Sequence, residues 1–522
     1  MTSTMMRRTH LAMVLLGAVS LVAACSSGKP AVKAATPAAS GSWLYPNADL
    51  ANTRDAAGST ISSSNVAKLA QAWTFNLSGK AASGVQSTGS LAAAPIVANG
   101  VVYFQDLDSN VYAVSLATGK LDWEYSVNVP ERSGPGPNGV AVVAGTVYGT
   151  SPTTAFALSA TTGRTTWINR SLLSTGQGTI SIQPQVAAGR VYLASGYGAA
   201  TGGGVLMALN ATNGNVLWKF NTVLLPDTGV KTLGIGSGGA WETPLVDSDG
   251  SVTFGTGNPY QTPGEAISNP SRLLYTDSDV NLDAATGKLR WYYQGVPDDF
   301  MDHDMQTSPM GASIDGSGVV IGSGKLGIVY AMNAQSGRLI WKTPVGEHNG
   351  HDNDSLQALE HRSTLKAPFT YLPGAIGGAL TNLALAGNTV YVVTCDFPFT
   401  FKAMNEVLGI PGSSATGEIE ALSLSTGKVE WDTKVAAMPL GAATVSNDLL
   451  FTTLVNGDLV AVNRNTGAIV YRAELPATTN SPIAIAGNTV IVPAGAPAVG
   501  KTTVGPLGTV SHDPQVVAYT VP

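Results

Sequence analysis

The sequence predicts an all-β chain folded as an eight-bladed β-propeller, its ring closed by N- and C-terminal strands, and three observations carry that prediction. Glycine supplies 60 of 522 residues while charged residues make up only 12%, a composition of tight turns between buried strands rather than of long helices or disorder. Short apolar segments alternate with Gly, Asn, Asp, Ser and Thr throughout. Most specific is a repeat in which Thr-Gly, or a relative of it, precedes an aromatic residue at a fixed distance: Thr118-Gly119 with Trp123, Thr162-Gly163 with Trp167, Asn213-Gly214 with Trp218, Thr286-Gly287 with Trp291, Ser336-Gly337 with Trp341, Thr426-Gly427 with Trp431, and Thr466-Gly467 with Tyr471.

Residues 1–24 come first and form a secretory signal. Arg7 and Arg8 precede an apolar run from Leu11 to Ala24 that is too short to span a bilayer comfortably. The run ends Val22-Ala23-Ala24-Cys25, similar to a bacterial lipobox, so Cys25 is the expected lipidation site; an ordinary cleavage site with an incidental cysteine is the competing reading. Cys25 and the small, Pro-containing stretch to residue 42 make a flexible tether, and residues 43–522 are the folded ring.

Within the ring, a Gly after Thr or Asn provides the positive φ of a tight hairpin, and the aromatic that follows can pack on the neighbouring unit. Adding Trp73, which shares the phase without its Thr-Gly, gives eight units. Their spacing is that of a four-stranded blade except for two insertions, between Trp218 and Trp291 and between Trp341 and Trp431. A sandwich or solenoid of repeated hairpins is the competing architecture. Closure needs a strand from the N-terminus, and the segment near 43–51 is expected to complete the last blade.

Charge and cysteine content narrow the function. A net charge of −6 spread over the whole chain offers no basic surface for nucleic acid. With Cys25 lipidated, Cys395 has no internal partner, and the absence of Cys-x-x-Cys-His excludes a c-type haem attached to this sequence.

The repeat Ala-x-(Asp/Asn/Ser)-x-x-Thr-Gly-x-x-x-Trp resembles the tryptophan-docking motif of the pyrroloquinoline quinone (PQQ) propellers, the fold of quinoprotein alcohol dehydrogenases. The opening Trp43-Leu44-Tyr45-Pro46-Asn47 is similar to the first strand of those enzymes, and the segments around Asp302 and after Pro373-Gly374 look like the polyvinyl-alcohol-dehydrogenase-like branch. The resemblance covers roughly residues 43–500 and implies a site. Trp241, the one Trp after Trp43 outside the docking phase, matches the floor under the quinone; an ordinary core indole is the alternative. Asn258, in Gly255-Thr256-Gly257-Asn258-Pro259, matches an amide ligand of the metal beside PQQ. In Pro297-Asp298-Asp299-Phe300-Met301-Asp302-His303-Asp304, Asp302 falls at the general base and Asp304 at the extra carboxylate ligand of lanthanide-dependent members; an acidic surface loop is the competing reading. Lys325 matches the cation that hydrogen-bonds the quinone oxygens.

Departures from the family pattern are equally specific. Ala199 stands where the family has a glutamate metal ligand, the vicinal cysteine pair is absent, and Gly377-Gly378-Ala379-Leu380-Thr381 lacks the family's Asn. The implied metal, Ca²⁺ or a lanthanide, is therefore left with Asn258, Asp302 and Asp304. His348, His351, Asp352 and Asp354 are expected to belong to an insertion loop rather than a second metal site. The implied activity is extracytoplasmic oxidation of a small or polymeric alcohol by PQQ, with electrons passed to a separate cytochrome c or quinone and the membrane reached only through the lipid anchor. The missing glutamate and cysteine pair motivate a second reading, a non-catalytic lipid-anchored scaffold similar in fold to the lipoprotein propeller of the outer-membrane β-barrel assembly machinery.

Overall fold

A computed structural model describes residues 41–77, 91–127, 138–174, 177–196, 203–223, 238–477, 479, 481–495 and 514–522. The signal, Cys25, most of the tether and Ala199 lie outside these residues. Among the described residues no helix is long and apolar enough to cross a membrane.

Eight antiparallel blades make the ring, seven of four strands and the third with a short fifth strand, Thr179–Ile180. Blades 1 to 8 span residues 96–125, 141–169, 185–221, 245–294, 310–344, 384–435, 444–474, and 484–520 completed by Ala70–Asn76. In each of blades 1 to 7 the two outer strands show the same irregularity. The Trp or Tyr lies opposite an alanine, as Trp123 opposite Ala113 and Trp431 opposite Ala421, or in blade 4 opposite Asn281, and the register then slips by one. In the turn, the glycine N–H returns to the carbonyl of the Ser, Asn or Asp that opens it, as Gly119 to Ser115 O at 2.8 Å. These two contacts account for the alanine and the polar residue of the sequence repeat.

The tryptophans join the blades. Trp73, Trp123, Trp167, Trp218, Trp291, Trp341 and Trp431 each donate their indole N–H to a backbone carbonyl of the next blade, at 2.7–3.1 Å. Each ring lies against that blade's turn glycine: a Cβ added to Gly119, Gly163, Gly214, Gly287, Gly337, Gly427 or Gly467 would come within 2.5–2.8 Å of the indole. The same glycines sit at φ of 66–74°, so both position and conformation select against a side chain. Blade 8 has no such turn, because its outer strands Gln515–Thr520 and Ala70–Asn76 come from opposite ends of the chain. Tyr471 meets it instead by donating its hydroxyl to Leu69 O at 3.3 Å.

Closure thus uses both termini, but the strand is Ala70–Asn76 and not residues 43–51. The earlier segment has another task. It runs across the innermost strands of the ring, bridging from Val97 of blade 1 at Trp43 to Val445 of blade 7 at Asp55. On the way its carbonyls accept from Val246, Gly311 and Leu385 of blades 4, 5 and 6. The polar residues of the segment explain this path, since Asn47 and Asn52 bond to Ser308, Thr243 O and Pro309 O, groups that no strand ladder satisfies.

Arg54 is the hub of that crossing. Fully buried, it donates to Ala443 O (2.7 Å), Asn47 Oδ1 (2.9 Å), Thr444 Oγ1 (2.7 Å) and Ile483 O (2.8 Å), and its guanidinium lies 5.4 Å from the Trp43 ring centroid. Burial pulls its pKa down to about 9, which leaves it charged at neutral pH.

Among the described residues, two helices and a small sheet lie in the insertions. Pro263–Ser268, whose Thr262 and Glu265 cap each other, belongs to the first, and Asp354–Leu359 to the second. The sheet pairs Phe369–Tyr371 with Phe399–Phe401 and Ile410–Pro411. The insertions meet where Gly264 N donates to Met404 O at 2.8 Å.

Replacing Arg54 by Met should cost about 3–5 kcal/mol in urea unfolding, because it strands buried carbonyls on two blades. Arg290→Ala, which removes partly exposed ion pairs to Asp249 and Asp283, should change stability by less than about 1 kcal/mol.

Candidate active site

Three segments, two of them glycine-containing, come together beside blades 4 and 5. Residues 255–258 leave the strand Ser251–Gly255, residues 298–304 link the two blades, and residues 323–326 leave the strand Ser317–Gly322. Backbone bonds lock them in order: Met305 N to Thr256 O at 3.2 Å, and Lys325 N to Asp304 O at 3.0 Å. The approach is so close at Gly324 and Gly255 that a Cβ on either would collide with the backbone of 304–305. Glycine at these points is what lets the acidic link lie between its neighbours.

The side chains converge accordingly. Lys325 Nζ contacts Asp302 Oδ2 at 2.8 Å and Asp304 Oδ2 at 2.5 Å. Asp304 Oδ1 accepts from Asn258 N at 2.7 Å. Trp241 packs beside them, its six-membered ring so near Gly257 that an added Cβ would lie 2.6 Å from the indole and equally close to Asp304 Oδ1. All five of the described candidate residues, Trp241, Asn258, Asp302, Asp304 and Lys325, therefore share one buried site. The acidic link is not a solvated loop.

Further carboxyl groups crowd the same place. Asp277 and Asp299 are fully buried, and the Asp277 N–H donates to Gly257 O at 3.1 Å. Asp299 accepts from the backbone of Met301 and His303, and the His303 ring reaches Pro373 O at 3.0 Å. Above the link, Tyr371 of the insertion sheet donates to Met301 O at 3.2 Å and stacks on Phe401. Sequence reasoning missed Asp277, Asp299, His303 and Tyr371. The available signal for Asp277 was a pair of aspartates, Asp277 and Asp279, at the start of a buried strand; Tyr371 carries none, since its partner is 70 residues away.

Electrostatics at the site are unbalanced. Burial raises the Asp302 carboxyl to about 8 against the pull of Lys325, with Asp304 and Asp299 adding to the rise. Burial raises Asp277, with Asp299 and Asp304 adding to the rise; burial also raises Asp299, with Asp304 adding to it, and burial holds the His303 imidazole below its ordinary value. Burial opposes the charge on Lys325, but Asp302 and Asp304 more than offset it and hold its pKa above the ordinary ammonium value. One ammonium thus faces four buried carboxyl groups.

That imbalance, with the atoms left over, tests the fit of a cofactor and its cation. Asn258 Oδ1, Asp302 Oδ1 and both Asp277 oxygens are buried without a hydrogen-bond partner. Hard oxygen donors carrying excess negative charge are what Ca²⁺ or a lanthanide coordinates, and an indole beside them suits a flat quinone. The residues present fit both groups. By contrast, His348 and His351 are each paired within their own loop, to Asp352 Oδ1 at 2.8 Å and to Asp354 Oδ2 at 2.6 Å.

A pH dependence follows. Asp302 and Asp279 are raised to about 8 and Asp298 to about 7, so the folded protein free of cation binds more protons than the unfolded chain between about pH 4 and 8. Stability then falls as pH rises through that window. Chelator-treated protein should lose on the order of 3 kcal/mol in urea titrations between pH 5 and 8, and added Ca²⁺ should restore more at pH 8 than at pH 5.

Comparisons with known proteins bear on the family and the fold. The family profile described as glucose/ethanol/alcohol dehydrogenase, β-propeller domain, matches residues 43–350, and that of outer membrane protein assembly factor BamB matches residues 415–505. The quinoprotein alcohol dehydrogenase PedH of Pseudomonas putida is 25% identical over 477 residues, covering 78% of this chain and 77% of the relative. Quinohemoprotein alcohol dehydrogenase ADH IIB of Pseudomonas putida is 30% identical over 369 residues, covering 64% of this chain and 51% of its own. Among solved structures, the quinohemoprotein alcohol dehydrogenase from Comamonas testosteroni superposes with a TM-score of 0.74 at 21% identity, over 92% of this chain and 80% of that one. A europium-containing methanol dehydrogenase gives 0.73 at 18% identity, over 92% and 98%. Those structural likenesses speak for the fold, whereas the first profile takes in more than half of the sequence: the chain belongs to the glucose/ethanol/alcohol dehydrogenase β-propeller family.

Proposed function

We propose that this protein is an exported PQQ-dependent alcohol dehydrogenase, and the observation that carries the proposal is Lys325 held between Asp302 and Asp304 beside Asn258 and Trp241. Asn258, Asp302 and Asp304 would supply oxygen donors to the cation, with Trp241 against the ring of PQQ and Lys325 beside its oxygens. When bound, PQQ supplies the two-electron acceptor for the hydride of the carbinol carbon, and the cation supplies Lewis acidity. The chain's own part is proton and charge management. Asp302 has one oxygen held by Lys325 and the other without a partner, so Oδ1 is the atom that accepts the alcohol's hydroxyl proton. Lys325 donates its hydrogen bonds where negative charge develops. The aromatic sheet 369–371 and 399–401, with Tyr371 bonded to Met301 O, keeps water from the acidic link.

In this reading Cys25 carries a lipid at the outer face of the cell membrane or in the periplasm, and electrons leave to a separate cytochrome c or quinone. Primary, secondary and polymeric alcohols are the substrate classes, chosen by the two insertions that meet at Gly264 and Met404. A second reading, a lipid-anchored binding scaffold without catalysis, draws on the BamB profile over residues 415–505.

Purified protein reconstituted with PQQ and either Ca²⁺ or a light lanthanide should oxidise at least one of these alcohol classes in a dye-linked assay. Asp302→Asn should lower kcat by roughly 10²–10⁴. Absence of turnover with every metal, together with a melting temperature unmoved by PQQ and metal, would instead establish the scaffold.

A further inference from the structure

A second acidic cluster lies where blade 6 meets the end of blade 5, and the function proposed above does not use it. Strands Thr389–Asp396, Thr416–Ser423 and Val429–Val435 pair with Thr394 opposite Glu418 and Glu420 opposite Asp432, and Asp396 follows on the same face two residues after Thr394. Single carboxylate oxygens from Glu418, Glu420 and Asp432 lie within 4.8 Å of one another, and so do oxygens from Glu347, Asp396 and Glu418. Asp396, Glu418 and Glu420 are at most 5% exposed.

An independent atom points into the same place. Thr394 is fully buried, and its hydroxyl has no hydrogen-bond partner. A Cβ built on Gly346 would lie 3.0 Å from Thr394 Oγ1 and 3.0 Å from Asp396 Oδ1, so both atoms border one gap. Gly346 and Glu347 lend two N–H groups to this cluster, to Glu420 Oε2 at 3.1 Å and Asp396 Oδ1 at 2.9 Å. These donors serve one oxygen on each acid. Lys434 is the cation present: it bonds Glu418 and reaches Glu347 Oε1 at 3.3 Å, but its side chain is 63% exposed and covers the cluster from the solvent side. A single solvent-facing ammonium is a weak counter-charge for five carboxylates, three of them buried.

We propose that this cluster is a second cation site, for Ca²⁺ or a hard cation of similar size, with Glu418, Glu420 and Asp432 as carboxylate ligands and Thr394 Oγ1 and Asp396 completing its inner wall. The donors are all oxygen, which favours such a cation over zinc or copper. Occupancy would tie the end of blade 5, at Gly346–Glu347, to the face of blade 6. The site is also coupled by backbone to the first one: Cys395, between Thr394 and Asp396, exchanges hydrogen bonds with Gly378 at 2.9 Å, and Gly378 packs directly on the Lys325 carbonyl.

Calorimetric titration of Ca²⁺ into chelator-stripped protein tests this without PQQ or substrate. Wild type should bind one equivalent more than the Glu418→Gln/Glu420→Gln variant. Lys434→Met removes the competing ammonium and should tighten the affected equivalent roughly tenfold. An equal stoichiometry in wild type and the double variant overturns the proposal. Should that variant fail to fold, an unchanged affinity in Lys434→Met overturns it as well.

Discussion

An indole laid against a neighbour's glycine is the contact on which this ring depends. It is made seven times with the same geometry, each indole N–H reaching a carbonyl within the next blade's turn while the ring occupies the space a Cβ would need. Because each contact joins successive blades, it fixes their separation, and eight such steps bring the first strand back to the last. The eighth is made differently, by Tyr471 and the Leu69 carbonyl, since the blade assembled from both termini has no hairpin to carry the glycine.

A ring of sheets leaves its innermost strands facing one another, and their polar groups need partners there. Residues 43–56 supply them. Arg54 bonds groups on blades 7 and 8 while Asn47 and Asn52 reach blade 5 and the Thr243 carbonyl beside blade 4. Charge buried in this way is stable only when paired, and the same rule governs the candidate active site, where one lysine answers several carboxyl groups and unpartnered oxygens are left. A bound cation is the simplest means of offsetting such an excess, and blade 6 repeats the pattern on a different set of acids.

Much of this was legible in the residues. The blade number and the docking tryptophans follow from the repeat, which is local in sequence, and the grouping of Trp241, Asn258, Asp302, Asp304 and Lys325 was implied by the resemblance to the PQQ propellers. What was misread or missed is non-local. The opening segment resembles a strand and was expected to complete the last blade, but its partners are distributed over six blades, and the closing strand lies further on at Ala70–Asn76. Asp277 precedes a strand of blade 4, Asp299 belongs to the link, and Tyr371 comes from an insertion; no spacing connects them. The acids at Glu418, Glu420 and Asp432 read along the chain as the ordinary alternation of an outer pair of strands.

By itself the sequence determined the repeat unit and its count, because a hairpin turn and an alternating strand are specified within a dozen residues; the residues at the centre were named only through the resemblance to the PQQ propellers. Tertiary structure alone decided which strand closes the ring, that the acidic link is buried rather than solvated, and which carboxylates share a charge. Those outcomes depend on distances between groups tens to hundreds of residues apart, and on the removal of water from between them, neither of which any local pattern encodes.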